Sequence, residues 1–402
     1  MSMIRHGYVA GPLLGLLWAL VIATTVAVAF SFATGGAFRP GGIGSALLGA
    51  GLGALAVAAP RLAGPVGLVL GAALALTPLA PVVTGADVAV WLALLAGGTM
   101  GAATGWPIAA MMAECRTGAL TRHEFEGAVI RFLTGFGYIF FTAIVAIPFY
   151  VMVMTSLKNQ SELIRNPLDF SIDLSKGWDL FRSYSELFGQ FNFGSYLWTS
   201  FLVSVLTVAI TLLFAVPGAY AVARLRFTGR AAISRSILLI YMVPMIVLAL
   251  PIYIAFSMLG LRNSIFGIVM IYPVTTIPVA LYMLQGYFRG LPAEIEEAGL
   301  MDGLSRLAVI WKITLPLSMP AMASVSLYVF MIAWNEFLLA FMLLDDPSKF
   351  TLTRGIAALN SSEIPRQHLM AGSVIATVPI MALFLGLERF MTKGLTAGSV
   401  KG

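Results

Sequence analysis

Residues 289–316 read Arg-Gly-Leu-Pro-Ala-Glu-Ile-Glu-Glu-Ala-Gly-Leu-Met-Asp-Gly-Leu-Ser-Arg-Leu-Ala-Val-Ile-Trp-Lys-Ile-Thr-Leu-Pro, a long charged segment set between two membrane-length apolar runs. Its residues specify structure. Pro292 suits a first helical turn, and Glu294, Glu296 and Glu297 fall where a helix N-terminus favours negative charge. Ala298 and Gly299 give that helix a flat face, and Asp302-Gly303 supplies a turn. The pattern predicts a second helix over 304–314, ending at Leu315-Pro316 where the chain turns apolar again.

Composition sets the surroundings of this segment. Of 402 residues, 59% are hydrophobic and 10% charged, with mean hydropathy +0.93. A soluble domain cannot bury that much apolar surface, so the fold class is an all-α polytopic membrane protein. The short alternating segments of a membrane barrel are absent from the sequence. One cysteine, Cys115, excludes an internal disulfide framework and any multi-cysteine metal site. His6, His123 and His368 lie far apart, so no metal centre is expected.

Hydropathy divides the chain into three parts. Residues 1–113 hold four apolar runs, at 8–34, 42–59, 63–84 and 87–113. The first is too long for a signal peptide and lacks its cleavage pattern, so it reads as a retained span. Glycines stand at four-residue spacing in these runs: Gly11/Gly15, Gly49/Gly53 and Gly97/Gly101/Gly105. That spacing permits close helix approach, either within the bundle or against another subunit. A polar linker, 114–132, leads to a core at 133–402 with six runs: 133–157, 196–222, 233–259, 263–288, 317–344 and 370–391.

Ten spans put both termini on one side. With the N-terminus inside, fifteen of the 24 Lys/Arg fall on cytoplasmic segments, and the other nine share external segments with nine acids. This positive-inside distribution predicts cytoplasmic termini and a cytoplasmic 289–316 segment. The net charge of +6 is thereby topological. It fits contact with anionic membrane lipid and argues against nucleic acid.

The segment also carries a resemblance. Glu297-Ala298-Gly299, three residues, Gly303, nine residues, then Ile313-x-Leu315-Pro316 resembles the EAA loop of ABC-importer permeases. The one departure is Gly299, where that family usually has a second alanine. Ala333-Trp334-Asn335-Glu336-Phe337 and the ending Gly394-Leu395-Thr396-Ala397-Gly398-Ser399-Val400-Lys401-Gly402 are similar to the smaller, MalG-like subunit of maltose-type carbohydrate permeases. The resemblance covers 133–402; residues before it have no counterpart in the pattern.

The resemblance implies a six-span type I ABC permease core preceded by about four extra transmembrane helices, in a bacterial inner membrane. It implies an importer subunit for a di- or oligosaccharide, with polyol or glycerol phosphate import as the alternative. A coupling helix would dock into a cytoplasmic ATPase through Glu297, Ala298, Gly299, Asp302, Gly303, Ile313, Leu315 and Pro316. The implied partners are a second, MalF-like permease subunit, two ATPase subunits holding ATP and Mg, and an extracytoplasmic sugar-binding protein. That protein would meet the loop at 345–368, with Ser361, Ser362 and Glu363 near its middle. Consistently, the sequence has no GxxxxGK[ST], and none of its six lysines follows a glycine.

Glu336 is the one acid expected inside a core run, where charge is costly and faces a partner or a watery cavity. At 1.5 Å per residue it lies roughly 30 Å beyond Pro316. Two roles are open: a hydrogen-bonded element of an outer gate, or sugar contact together with Tyr328, Trp334 and Asn335. A cation-coupled carrier would need mid-membrane ionisable groups, of which Glu336 is the sole clear candidate, and no internal repeat is detected. No paired acid, histidine or serine constellation in the spans supports an intramembrane enzyme.

Overall fold

A computed structural model describes residues 5–166, 169, 171–361 and 364–396. Ser362, Glu363 and the tail residues Ala397, Gly398, Ser399, Val400, Lys401 and Gly402 lie outside the described residues. The chain forms two compact units, Met1–Leu180 and Phe181–Gly402. Among the described residues, five helices are long and apolar enough to cross a membrane, and a sixth if one bent pair counts as a span.

The first unit opens with α1 (Gly7–Thr34), β1 (Phe38–Pro40), α2 (Gly42–Ala58), α3 (Pro60–Leu74), β2 (Val82–Thr84) and α4 (Val90–Met111). β1 and β2 pair antiparallel, with Arg39 opposite Val83. The spaced glycines face one another inside this unit. A Cβ added at Gly11 or Gly15 of α1 would strike the carbonyl of Gly53 or Gly49 on α2. Gly67 and Gly71 of α3 meet Gly101 and Gly97 of α4 in the same way. Of the two roles open for these glycines, packing within the bundle is the one their geometry serves.

Not every apolar run becomes a straight span. α2 and α3 have 17 and 15 residues, short of the roughly 20 needed to cross a hydrocarbon core. Ala59-Pro60 separates them because Pro60 can start a helix but not continue one.

α5 (Arg122–Ser156) is longer than its apolar part, because its first turns are built from the polar linker. Thr121 caps it: the Thr121 hydroxyl accepts from Glu124 N–H at 3.2 Å, and the Glu124 carboxylate accepts from Thr121 N–H at 2.8 Å. Phe132 meets Trp18 edge-on at 6.0 Å, and Gly135 lies against Trp18 and Met111. The helix expected to open the core thus packs with α1 and α4, in the first unit. Beyond it, α6 (Gln160–Arg165) and residues 171–180 are clipped by Lys158–Asp169 and Lys176–Glu162 ion pairs.

The second unit begins with α7 (Arg182–Gln190) and α8 (Phe193–Arg224). It continues with α9 (Arg230–Tyr241), α10 (Met245–Met258), α11 (Ile265–Gly290), α12 (Ala293–Met301), α13 (Arg306–Val309), α14 (Leu315–Leu317) and α15 (Met319–Asn335). α16 (Leu338–Leu343), α17 (Leu352–Leu359) and α18 (Arg366–Thr396) complete it.

α8 is the central post of this unit. One core cluster gathers Phe193, Tyr272, Trp334 and Leu352, and another gathers Tyr220, Leu284, Phe288 and Val325. Between them a buried hydroxyl pair, Thr211 and Thr276 at 2.6 Å, joins α8 to α11. The run at 233–259 is broken before Pro244, and that at 317–344 is broken at Glu336. A further bend of 73° separates residues 306–317 from 319–335.

The described residues of the polar loop, 345–361 and 364–368, fold back on the unit. Leu352 N–H donates to the Ser200 hydroxyl at 2.7 Å, and Gly355 lies against the Tyr196 ring. His368 bonds Glu186 of α7 at 2.7 Å. Hydrogen bonds from Arg182 and then His368 hold the Glu186 carboxyl below its ordinary range.

The glycine contacts generate a test. Gly101→Leu drives a side chain into the α3 backbone and should destabilise the first unit by about 1–3 kcal/mol, the usual cost of overpacking. Gly51→Ala, with no atom within 4 Å of the added Cβ, should not lower the thermal unfolding temperature of the purified chain. Equal melting of the two variants would refute this packing.

Candidate functional site

The segment at 289–316 is a helical hairpin whose turn is set by local chemistry. α12 ends in a Schellman arrangement: Leu304 N–H donates to Gly299 O and Gly303 N–H to Leu300 O, both at 3.1 Å. Gly303 takes φ 85°, a conformation that glycine adopts without strain, and Asp302 is the helix C-cap. The Ser305 hydroxyl then caps α13 by accepting from Ala308 N–H. The expected second helix forms as a continuous stretch, Arg306–Leu317, made of α13, a π-helical turn over Ile310–Thr314, and α14, which contains Leu315 and Pro316.

Gly299 is the contact point of the hairpin. It is buried, and a Cβ there would lie 2.6 Å from Ile313 Cδ1 and 3.4 Å from Val309. A small residue lets the two arms close, and the flexible Ile313 tip can yield to one methyl group.

The buried carboxylate of the hairpin belongs to Glu296. Its Oε1 accepts from the Thr314 hydroxyl at 3.0 Å, its Oε2 accepts from Tyr220 at 3.1 Å, and Arg224 Nε lies 3.4 Å away. The Glu296 and Arg224 side chains are only 12% and 13% exposed, so each offsets part of the other's desolvated charge. Arg224 also donates to Leu291 O at 2.6 Å. Together these bonds tie α12 to the end of α8 and to the π turn.

Sequence reasoning gave Glu296 a dipole role and missed this network. Its partners lie 76 and 72 positions upstream, so no local signal marks them. Glu297 and Ala298, by contrast, are exposed and form a free face. Met301 and Leu307 extend that apolar exposure, at 88% and 70%. They too were missed, although an apolar residue in a charged loop is itself a signal.

The residues near 336 are used structurally. The Glu336 carboxylate accepts from Leu339 N–H at 2.8 Å and Ala340 N–H at 3.1 Å, capping α16. Its backbone carbonyl accepts from the Thr353 hydroxyl at 2.6 Å. Asn335 donates to Met331 O, and Trp334 is buried, donating to Ala376 O and stacking on Phe330. Tyr328 packs against the other core cluster.

Residues 215–396 match the family described as binding-protein-dependent transport system inner membrane component. The chain is 39% identical over 269 residues to the inner membrane ABC transporter permease protein YcjP of Escherichia coli, covering 66% of this chain and 95% of that protein. It is 33% identical over 280 residues to the trehalose/maltose transport system permease protein MalG of Thermococcus litoralis, covering 69% and 99%. Among solved structures it resembles a chain of a bacterial ABC transporter involved in the import of the acidic polysaccharide alginate. That likeness has TM-score 0.56 and 23% identity, covering 67% of this chain and 98% of that one.

Two substitutions separate packing from charge in the hairpin. Gly299→Ala should be tolerated, whereas Glu296→Ala strands the Arg224 guanidinium and should cost about 2 kcal/mol, the scale of hydrogen bonds to charged groups. Amide hydrogen exchange over 293–301 reads both. Unchanged exchange in Glu296→Ala would remove its anchoring role.

Proposed function

The chain belongs to the binding-protein-dependent inner membrane components, the multi-pass permeases of ABC transporters, and from that membership we propose that it is the MalG-like subunit of an ATP-driven carbohydrate importer. A di- or oligosaccharide is the cargo, as the trehalose/maltose relative supports. The partners are a MalF-like permease, two cytoplasmic ATPases that hold ATP and Mg, and a binding protein outside the membrane. Both termini and the hairpin lie on the cytoplasmic side, in keeping with the positive-inside rule.

One observation carries this reading: α12 presents Glu297, Ala298 and Met301 outward, while Glu296 fastens its other side to α8. An exposed face on a firmly anchored helix can receive a push and transmit it. Closure of the ATPases displaces α12, and the Glu296–Arg224 link carries the displacement into α8. The contact of Gly299 with Ile313 carries it toward α15. The spans then tilt, and sugar passes from the binding protein into a cavity shared with the companion permease.

Glu297→Lys and Met301→Asp each leave the buried network intact and should lower sugar uptake and binding-protein-stimulated ATP hydrolysis together. Loss of a docking anchor commonly weakens such an interface about tenfold or more. The assay compares reconstituted complexes carrying equal amounts of inserted chain. Wild-type uptake in both variants would refute docking through α12, and identification of the ligand co-purifying with the complex tests the cargo.

A further inference from the structure

A cavity of about 770 Å³ lies beside α12; the importer reading uses Arg224, Glu296 and Glu297 of its wall but gives no role to its other arginines. Its wall includes Arg224, Arg226 and Arg230 from the end of α8 to the start of α9, Arg306 from α13, and Glu296 and Glu297 from α12. Four arginines against two glutamates leave the wall with two net positive charges.

The charges are unequally committed. Glu296 is filled by Tyr220, Thr314 and Arg224, and Arg224 is in turn spent on Glu296 and Leu291 O. Arg230 donates Nε and Nη2 to the carbonyls of Val222 at 2.7 Å and Ala223 at 2.9 Å. Those bonds fix the plane of its guanidinium and leave Nη1 for another acceptor. The Arg306 side chain reaches the Tyr220 hydroxyl, yet among the described residues Arg226, Arg230 and Arg306 form no ion pair with a carboxylate, although all three border one cavity.

Three guanidinium groups bordering one space repel each other until an anion joins them, and their planar donor forks match the oxygens of a tetrahedral oxyanion. A single carboxylate offers two oxygens, too few to satisfy three forks. We propose that this cavity is a binding site for a phosphate group, carried by an anionic lipid headgroup or by a soluble phosphorylated metabolite. Arg226 and Arg306 grip the group directly, and Arg230 supplies its remaining donor. Glu297, which also lines the cavity, disfavours a second anion and so limits occupancy to one phosphate.

The site stands on cavity chemistry alone and does not require the importer reading. If α12 is also the coupling helix, a phosphate held against its Glu296–Glu297 wall couples occupancy to transport.

The test uses the full chain in phosphatidylcholine nanodiscs and in nanodiscs containing phosphatidylglycerol, with hydrogen exchange read over 222–230 and 293–306. Inorganic phosphate is added to each, and sodium chloride at matched ionic strength is the control. Protection by phosphate in phosphatidylcholine identifies a soluble source. Protection already present in phosphatidylglycerol, not increased by phosphate, identifies a lipid headgroup. Arg226→Gln and Arg306→Gln should each weaken the apparent affinity about tenfold, as expected for loss of a hydrogen bond to a charged group. The matching lysine substitutions should retain part of the protection, which guards against reading misfolding as lost binding. No protection by either phosphate source overturns the site and leaves the arginines for an acidic residue of a partner protein. Equal protection by chloride, or protection unchanged in both glutamine variants, overturns it as well.

Discussion

The Glu296 carboxylate is the interaction on which the second unit's working end depends. It lies at the junction of three elements that are remote in sequence: α8 through Tyr220 and Arg224, α12 through its own backbone, and the π turn through Thr314. An ion pair so little exposed is held in place by its hydrogen bonds as much as by its charge, since desolvation offsets much of the Coulomb attraction. With every acceptor engaged, α12 has a fixed position on α8. Glu297, one residue along, is thereby directed outward. Adjacent acids thus divide the work, one anchoring and one facing solvent.

Much of this was legible in the sequence because the hairpin is specified locally. Asp302-Gly303 ends α12 for a reason visible in two residues, and the small residue at 299 is required by the close approach of Ile313. Membrane character followed from composition, since no aqueous fold accommodates such apolar content. What could not be read was non-local. Tyr220 and Arg224 looked like an ordinary span end, because nothing near them indicates that a carboxylate 72 positions later needs two donors.

Hydropathy misled in a different way. Windowed apolarity registers composition but not helix breaks, so the runs at 233–259 and 317–344 looked continuous although Pro244 and Glu336 interrupt them. Glu336 was recognised as costly, and the structure shows how the cost is met: two N–H groups at the start of α16 receive its carboxylate. The Thr121–Glu124 capping box was readable in principle and locates the true start of α5 inside the polar linker. With that helix packed against Trp18 and Met111, the compact units and the region of family resemblance do not share a boundary.

The π turn over Ile310–Thr314 stores angular information. Relative to an α-helix, such a turn accommodates one additional residue, and each helical residue advances the chain by about 100° around the axis. The direction in which α13 faces, relative to α14, is therefore set by one inserted position rather than by the identity of any side chain. Gly299 reads that setting, because it touches Val309 just before the turn and Ile313 within it. Residue number and hydrogen-bond pattern must therefore agree through this turn: regularising it to α-helix at unchanged length would turn α13 about 100° out of phase with α14 while leaving every residue type in place, whereas losing one residue together with the π pattern would keep the two in phase.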